Sequence, residues 1–213
     1  MAAADSDRTV LLVGLGNPGP RYARNRHNVG FMALDAIAEL HRLPVWRSRF
    51  QGQVSEGRLG AGRALLLKPM TYMNESGRAV GAAMRWLRIA PANVVVFYDE
   101  IDLAPGKVRV KAGGGTAGHN GIRSVAAHIG PDFRRVRLGV GHPGHRDAVQ
   151  RHVLSDFAKA DSVWLGPLLA AIADNAQMLV AGDDPGFMNR VAVALQAGNK
   201  ERAAPARDAG TRG

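Results

Sequence analysis

The chain has 213 residues, 46% of them hydrophobic, which suits one sizeable globular domain rather than a disordered segment. It contains no cysteine, so disulfides, thiolate nucleophiles and cysteine metal sites are excluded and a reducing compartment is favoured. The formal net charge is +10, and residues 197–213 hold only four cations against two acids, leaving +8 on residues 1–196; a body this basic points to a polyanionic partner, nucleic acid or acidic lipid.

Met1-Ala-Ala-Ala-Asp-Ser-Asp-Arg8 lacks the basic-then-apolar order of a signal peptide, and no apolar run approaches the roughly 20 residues of a membrane span. A cytoplasmic protein without a membrane partner is expected. Residues 1–8 read as a flexible arm, and 9–13 as a leucine-rich, β-branched strand buried on both faces. The next stretch, Gly14-Leu-Gly-Asn-Pro-Gly-Pro-Arg-Tyr-Ala-Arg-Asn-Arg-His-Asn-Val-Gly30, is too polar for a core and reads as a surface loop able to carry binding or catalytic groups. Val29, Met32, Ala33, Ala36, Ile37 and Leu40 then follow the period of an amphipathic helix that ends before Pro44.

Residues 45–58 read as one or two strands, and 63–67 as a buried strand stopping at Lys68-Pro69. Ser76 is expected to cap a helix carrying Val80, Ala83, Met84 and Leu87, which Pro91 closes. The strongest strand spans 93–98, with Asp99-Glu-Ile-Asp102 directly after it, and 107–111 alternates with Lys107, Arg109 and Lys111 on one face. A glycine turn at 113–115 leads through Gly118-His-Asn-Gly121 to a short helix with Ile122, Val125 and Ile129, then a strand at 135–140. Helices are expected near 148–154, at 167–180 and around Phe187, Met188, Val191 and Leu195. The segment 197–213 reads as a disordered tail, which leaves 9–196 as one domain. Alternating strands and helices make the fold class α/β.

Gly14, Gly16 and Gly19 match the dinucleotide pattern G-x-G-x-x-G. The context fails, because the third glycine should open a helix and a long polar stretch intervenes before Val29. A nicotinamide oxidoreductase is therefore disfavoured, and it stays only as an alternative class that an absence of nicotinamide binding would remove. Asn17, Asn74 and Asp99 each lie just beyond a strand; if those strands are parallel neighbours, the three residues share the crevice where α/β sheets bind ligands. Asp99 could then orient His27, fixing its tautomer and leaving one ring nitrogen to take a proton from water.

Zinc is the competing use of His27, His119, His142 and Asp99, but no H-E-x-x-H or comparable spacing supports it. Asn120, near a helix start, could serve a substrate carbonyl or an oxyanion. Serine chemistry is disfavoured because no G-x-S-x-G elbow occurs. Arg109 and Lys111, with Arg134, Arg135 and Arg137 close by, could form a stripe that follows a phosphate backbone.

Taken in order, Gly14-Leu-Gly-Asn-Pro-Gly19 with Tyr22 and Arg26-His-Asn-Val-Gly30, Lys68-Pro-Met-Thr-Tyr-Met-Asn-Glu-Ser-Gly77, Asp99-Glu-Ile-Asp-Leu103, Gly113-Gly-Gly-Thr-Ala-Gly-His-Asn-Gly121 and Arg137-Leu-Gly-Val-Gly-His-Pro-Gly144 resemble the bacterial peptidyl-tRNA hydrolase family. The resemblance runs from about residue 10 to about residue 195. It implies a single α/β domain with a twisted mixed sheet flanked by helices, monomeric and free of metal and cofactor. It also implies hydrolysis of the ester joining a peptide to tRNA, with release of the tRNA for reuse.

Carried over to this sequence, the resemblance makes His27 and Asp99 the catalytic pair, with Asn17 beside them. Tyr22, Tyr72, Met73, Asn74, His119 and Asn120 become substrate-binding positions, and Lys111, Arg135 and Arg137 tRNA-binding ones. Which asparagine serves the oxyanion stays open. The same fold also implies an alternative, a noncatalytic RNA-binding protein.

Overall fold

The structure is a computed structural model and describes residues 9–203. Segments 1–8 and 204–213, read from sequence as an arm and part of a tail, lie outside those residues. Seven strands form one mixed sheet in the order β2-β3-β4-β1-β5-β7-β6: β1 (Thr9–Gly14), β2 (Arg47–Arg49), β3 (Gly52–Leu59), β4 (Gly62–Pro69), β5 (Val94–Glu100), β6 (Val108–Ala112) and β7 (Arg134–Gly139). β1 runs parallel to both β4 and β5, and β5 parallel to β7. β2, β3 and β6 are antiparallel to their neighbours. The strand tips carrying Asn17, Asn74 and Asp99 therefore do point to one end of the sheet.

Among the described residues, six α-helices surround the sheet: α1 (Val29–Leu40), α2 (Ser76–Leu87), α3 (Asn120–Ile129), α4 (Val149–Val153), α5 (Ser162–Ala181) and α6 (Asp184–Ala203). Alternation along the strands divides the core between them. Leu12, Leu66, Val95, Phe97, Val136 and Leu138 pack toward α1, α5 and α6, whereas Leu11, Val13, Leu65, Leu67, Val94 and Val96 pack toward α2 and α3. Burial on both faces explains why these strands read as unbroken apolar runs.

The entry into α1 positions the site. A Cβ on Gly14 would run into the carbonyl of Gly30, and one on Gly30 into the carbonyl of Phe97. Only glycines let the start of α1 lie directly across the ends of β1 and β5. His27, three residues before Gly30, is thereby brought to Asp99, two residues after Phe97.

Some local expectations need correction. Ser76 does not cap α2: it is the first helical residue, fully buried, and its Oγ donates to the Met73 carbonyl at 2.9 Å, because a 3-10 turn at Met73–Glu75 feeds straight into the helix. Pro167 does not start α5 but lies inside it, so the helix opens five residues earlier than expected. Residues 197–203, assigned to the tail, continue α6. No unbroken apolar run reaches the length of a membrane span, since Lys159, Asp161 and Asp174 interrupt the stretch around α5, but the early start of α5 lengthens the helix. Lys159–Ala181 is long and apolar enough to cross a membrane by length and composition. In the fold, Leu168, Ala171, Ile172, Ala176 and Leu179 of α5 belong to the core shared with α1 and α6.

Candidate active site

The carboxyl ends of β4, β1 and β5 open into a cavity of about 1120 Å³. Asn17, His27, Asp99, His119 and Asn120 line it together with Tyr72, Met73 and Asn74. The facing wall comes from the α4 region: Arg146, Val149, Gln150, Val153 and Leu154.

Asp99, with a side chain 1% exposed, is the centre of the arrangement. His27 Nδ1 lies 2.8 and 2.9 Å from its two oxygens, and His119 Nε2 lies 3.0 Å from Oδ1. The proton positions follow from the remaining partners. His119 caps α3, its Nδ1 accepting the Ile122 N–H at 3.2 Å, so a neutral His119 carries its proton on Nε2 and donates it to Asp99. Both of its nitrogens are thus used. His27 spends only Nδ1–H on Asp99, and its Nε2 has no partner among the described residues.

The electrostatics centre on the Asp99 carboxylate. Burial alone would push the Asp99 carboxyl up, but the charges of His27 and His119 and their hydrogen bonds hold it well below the usual carboxylate range. Burial would push His27 down, and the Asp99 charge and hydrogen bond outweigh it, raising the imidazole above its ordinary value. Tyr98, edge-on to His119 with centroids 5.0 Å apart, is pushed up to about 12 by burial and by Glu100, so its phenol stays protonated.

Asn17 is held at several points. Its backbone N–H donates to Asn28 Oδ1 and its carbonyl accepts from Asn28 Nδ2, both at 2.9 Å, while its own Oδ1 accepts the Met73 N–H at 2.9 Å. That last bond settles the amide orientation and leaves Nδ2 as a donor on the cavity side. Asn120 opens α3, with Oδ1 accepting from Arg123, and Asn74 is exposed on the cavity lining.

The loop carrying His27 is tied to the far wall. The Arg26 guanidinium donates to the Ser155 hydroxyl at 2.7 Å and the Asp156 carbonyl at 2.8 Å and pairs with Asp161 at 2.9 Å; Asn25 Nδ2 donates to Asp156 Oδ1 at 2.7 Å. Arg26, Asn28 and the α4 wall were not singled out from the sequence. The apolar i, i+4 spacing of Val149 and Val153 marked a helix face, with no sign of what it faced.

The remaining expected positions divide. Tyr22 is absent from the cavity lining; its hydroxyl accepts from Arg21 at 2.6 Å. Arg109 pairs in register with Arg137 and Lys111 with Arg135, so the four cations do share one sheet face. Arg135 nevertheless needs correction as an RNA contact. It is 2% exposed, and its guanidinium donates to the carbonyls of Gly114, Gly115 and Pro131, holding the glycine turn. Arg137 is half-buried and donates to Glu100 at 2.9 Å, which leaves Arg109 and Lys111 exposed. Arg134 pairs with Asp184. His119 meets the cavity only with its ring, since neither nitrogen is free to bind substrate.

Candidate ligand atoms of His27, Asp99 and His119 lie within 4.8 Å of one another, close enough for a metal ion to be considered. The donor set fits poorly. With Nδ1 committed to Ile122, His119 could ligate through Nε2 only as an imidazolate or after giving up the helix cap.

A buried carboxylate orienting an imidazole whose second nitrogen is unpartnered among the described residues is a geometry suited to general acid–base chemistry. The chain belongs to the peptidyl-tRNA hydrolase family, whose sequence profile matches residues 11–201. It is 63% identical over 187 residues to the peptidyl-tRNA hydrolase of Parvibaculum lavamentivorans, covering 87% of this chain and 91% of that one. It is 58% identical over 200 residues to that of Dinoroseobacter shibae, covering 94% and 82%. The crystal structure of peptidyl-tRNA hydrolase from Acinetobacter baumannii superposes with a TM-score of 0.80 at 37% identity, over 90% of this chain and 97% of that one.

Proposed function

We propose that this enzyme hydrolyses the ester between peptide and tRNA by water attack, with His27 as general base oriented by Asp99. The observation that carries the assignment is that of the two imidazoles on Asp99 only His27 keeps a free nitrogen. His27 Nε2 takes a proton from water as the oxygen attacks the ester carbonyl. The imidazolium, stabilised by Asp99, then returns the proton to the departing ribose oxygen. Asn17 Nδ2, unpartnered on the cavity side, is the best-placed amide to meet the carbonyl oxygen as it gains charge.

Tyr72, Met73, Asn74 and Asn120 form the peptide-facing wall, with Tyr22 near the loop outside the cavity. Arg109, Lys111 and Arg137 supply a basic face for the phosphate backbone. Cytoplasmic location, a monomeric state, and α5 as a core helix rather than a membrane segment complete the proposal. The step as drawn uses water and protein groups alone, without metal or cofactor.

The test is release of tRNA from N-acetylated aminoacyl-tRNA by wild type and His27→Ala, with uncapped aminoacyl-tRNA alongside. Fast cleavage of the acetylated substrate only, lost in the variant, is expected. Wild type that binds tRNA but never cleaves would return the noncatalytic RNA-binding reading of the same fold.

A further inference from the structure

The positive charge is unevenly distributed, and not where the basic stripe on β6 and β7 would put it. Residues 94–196 contain eleven cations and ten acids, a net +1. Residues 42–93, which build β2, β3, β4 and α2 at the other side of the sheet, contain nine cations and two acids, or +7 of the total +10. Both acids are already engaged, Glu56 with Arg63 and Glu75 with Arg78. Arg47, Arg49, Arg85 and Arg88 are exposed and form no ion pair with a described residue.

Two aromatic rings stand among these arginines. The Arg49 guanidinium lies 3.9 Å from the centroid of Trp86 and 4.6 Å from that of Phe50, and the two rings are 5.6 Å apart. Trp86 is still 49% exposed. Arg47 shares a strand face with Arg49, and Arg85 and Arg88 flank Trp86 at the end of α2. Exposed arginines without an acidic partner among the described residues, beside a half-exposed tryptophan, suit a polymer of phosphates and flat bases.

The surface is linked to the cavity through the backbone. Gln51, next to Phe50 at the tip of the β2–β3 hairpin, accepts the Met70 N–H at 2.9 Å. Met70 is two residues before Tyr72, which is 57% exposed and lines the cavity mouth. From there the chain enters α2, which ends at Trp86 and Leu87. An RNA whose 3′ end enters the cavity could leave it on this side toward these arginines.

We propose that the β2–α2 surface, centred on Arg49, Trp86 and Arg88, is a second RNA-contact face that holds the body of the tRNA while its acylated end occupies the cavity. The inference rests on the proposed function, which supplies the RNA. It adds an electrostatic contact at the edge of the sheet opposite β6 to that of Arg109, Lys111 and Arg137. Phosphate neutralisation there contributes affinity and a salt-dependent KM, with no part in the chemical step.

The experiment compares wild type, Arg49→Gln/Arg88→Gln and the charge-keeping Arg49→Lys/Arg88→Lys. Each is assayed on N-acetylaminoacyl-tRNA and on the same ester carried by a short oligonucleotide ending in adenosine. Binding of uncharged tRNA is followed by anisotropy between about 50 and 200 mM salt, a range over which lost phosphate contacts are readable. The glutamine variant is expected to raise KM for the full tRNA roughly tenfold and to reduce the slope of log Kd against log salt by about two. Its kcat and its turnover of the short substrate stay at wild-type values, and the lysine variant recovers most of the slope.

An unchanged slope overturns the proposal, and so does equal loss on the short substrate, which would make the patch a support of the fold. An unchanged slope with lost binding to phosphatidylserine vesicles would reassign the surface to a membrane. Failure of the function itself reads differently: wild type would cleave neither substrate, while the slope for uncharged tRNA would still answer for the surface.

Discussion

Two loops reach the carboxyl end of the sheet, each delivers a histidine to Asp99, and the two histidines end up with different chemistry. The loop after β1 presents His27 through Nδ1 and leaves Nε2 open to the cavity. The loop before α3 presents His119 through Nε2 because its Nδ1 caps the helix. On the proposed mechanism, the same side chain on the same carboxylate is a base in one case and a brace in the other. What distinguishes them is the partner of the far nitrogen: a backbone N–H for His119 and the cavity for His27.

Removing each histidine in turn separates the two roles. His27→Ala is expected to lower kcat by roughly a hundredfold to ten-thousandfold, the range of general-base catalysis, with KM little changed. Steady-state kinetics on N-acetylaminoacyl-tRNA measures it, and an active variant would hand the role of base to another group. Asp99→Asn comes next, at about a hundredfold, because an amide cannot accept from both rings and no longer fixes the His27 tautomer.

The pH profile carries the sign. His27 must be neutral to act as base, and Asp99 raises its pKa, so kcat/KM should climb with pH through an inflection above the ordinary value of about 6.5 and fall away below it. In Asp99→Asn that inflection should move down, since burial then acts without the opposing charge. An inflection that stays in place would show that the titrating group is not His27.

His119→Ala should cost less in turnover than either, within about tenfold, while the lost helix cap costs about 1 kcal/mol and lowers Tm by roughly 2–4 °C. A His119 variant as dead as His27→Ala would dissolve the distinction between base and brace. The smallest effect on RNA is expected from Arg135→Gln. Its three carbonyl partners make it a fastener of the glycine turn, so tRNA affinity and salt slope should hold while thermal stability drops. A flattened salt slope in that variant would return Arg135 to the RNA-binding face.

Much of the architecture could be read from local pattern alone. Periodicity located α1 over its full length, and unbroken apolar runs located β1, β4 and β5, because a strand covered on both faces needs apolar residues at every position. Where reading failed, the deciding neighbour lay far along the chain or the local signal pointed elsewhere. Pro167 looks like a helix start because proline suits a first turn, yet α5 opens before it. Ser76 looks like a cap, but the preceding 3-10 turn had already begun the helix.

By itself the sequence determined the α/β class, the polar strand tips and the candidacy of His27 and Asp99, since these depend on residue type and on spacing within single elements. Only the tertiary structure decided that His119 shares the same carboxylate and that Arg135 is buried among glycine carbonyls. It also decided that Arg26 ties the base loop to Ser155, Asp156 and Asp161, and that α4 walls the cavity. Those outcomes turn on which hydrogen-bond partners and charges meet across the fold, and burial sets how strongly each meeting counts.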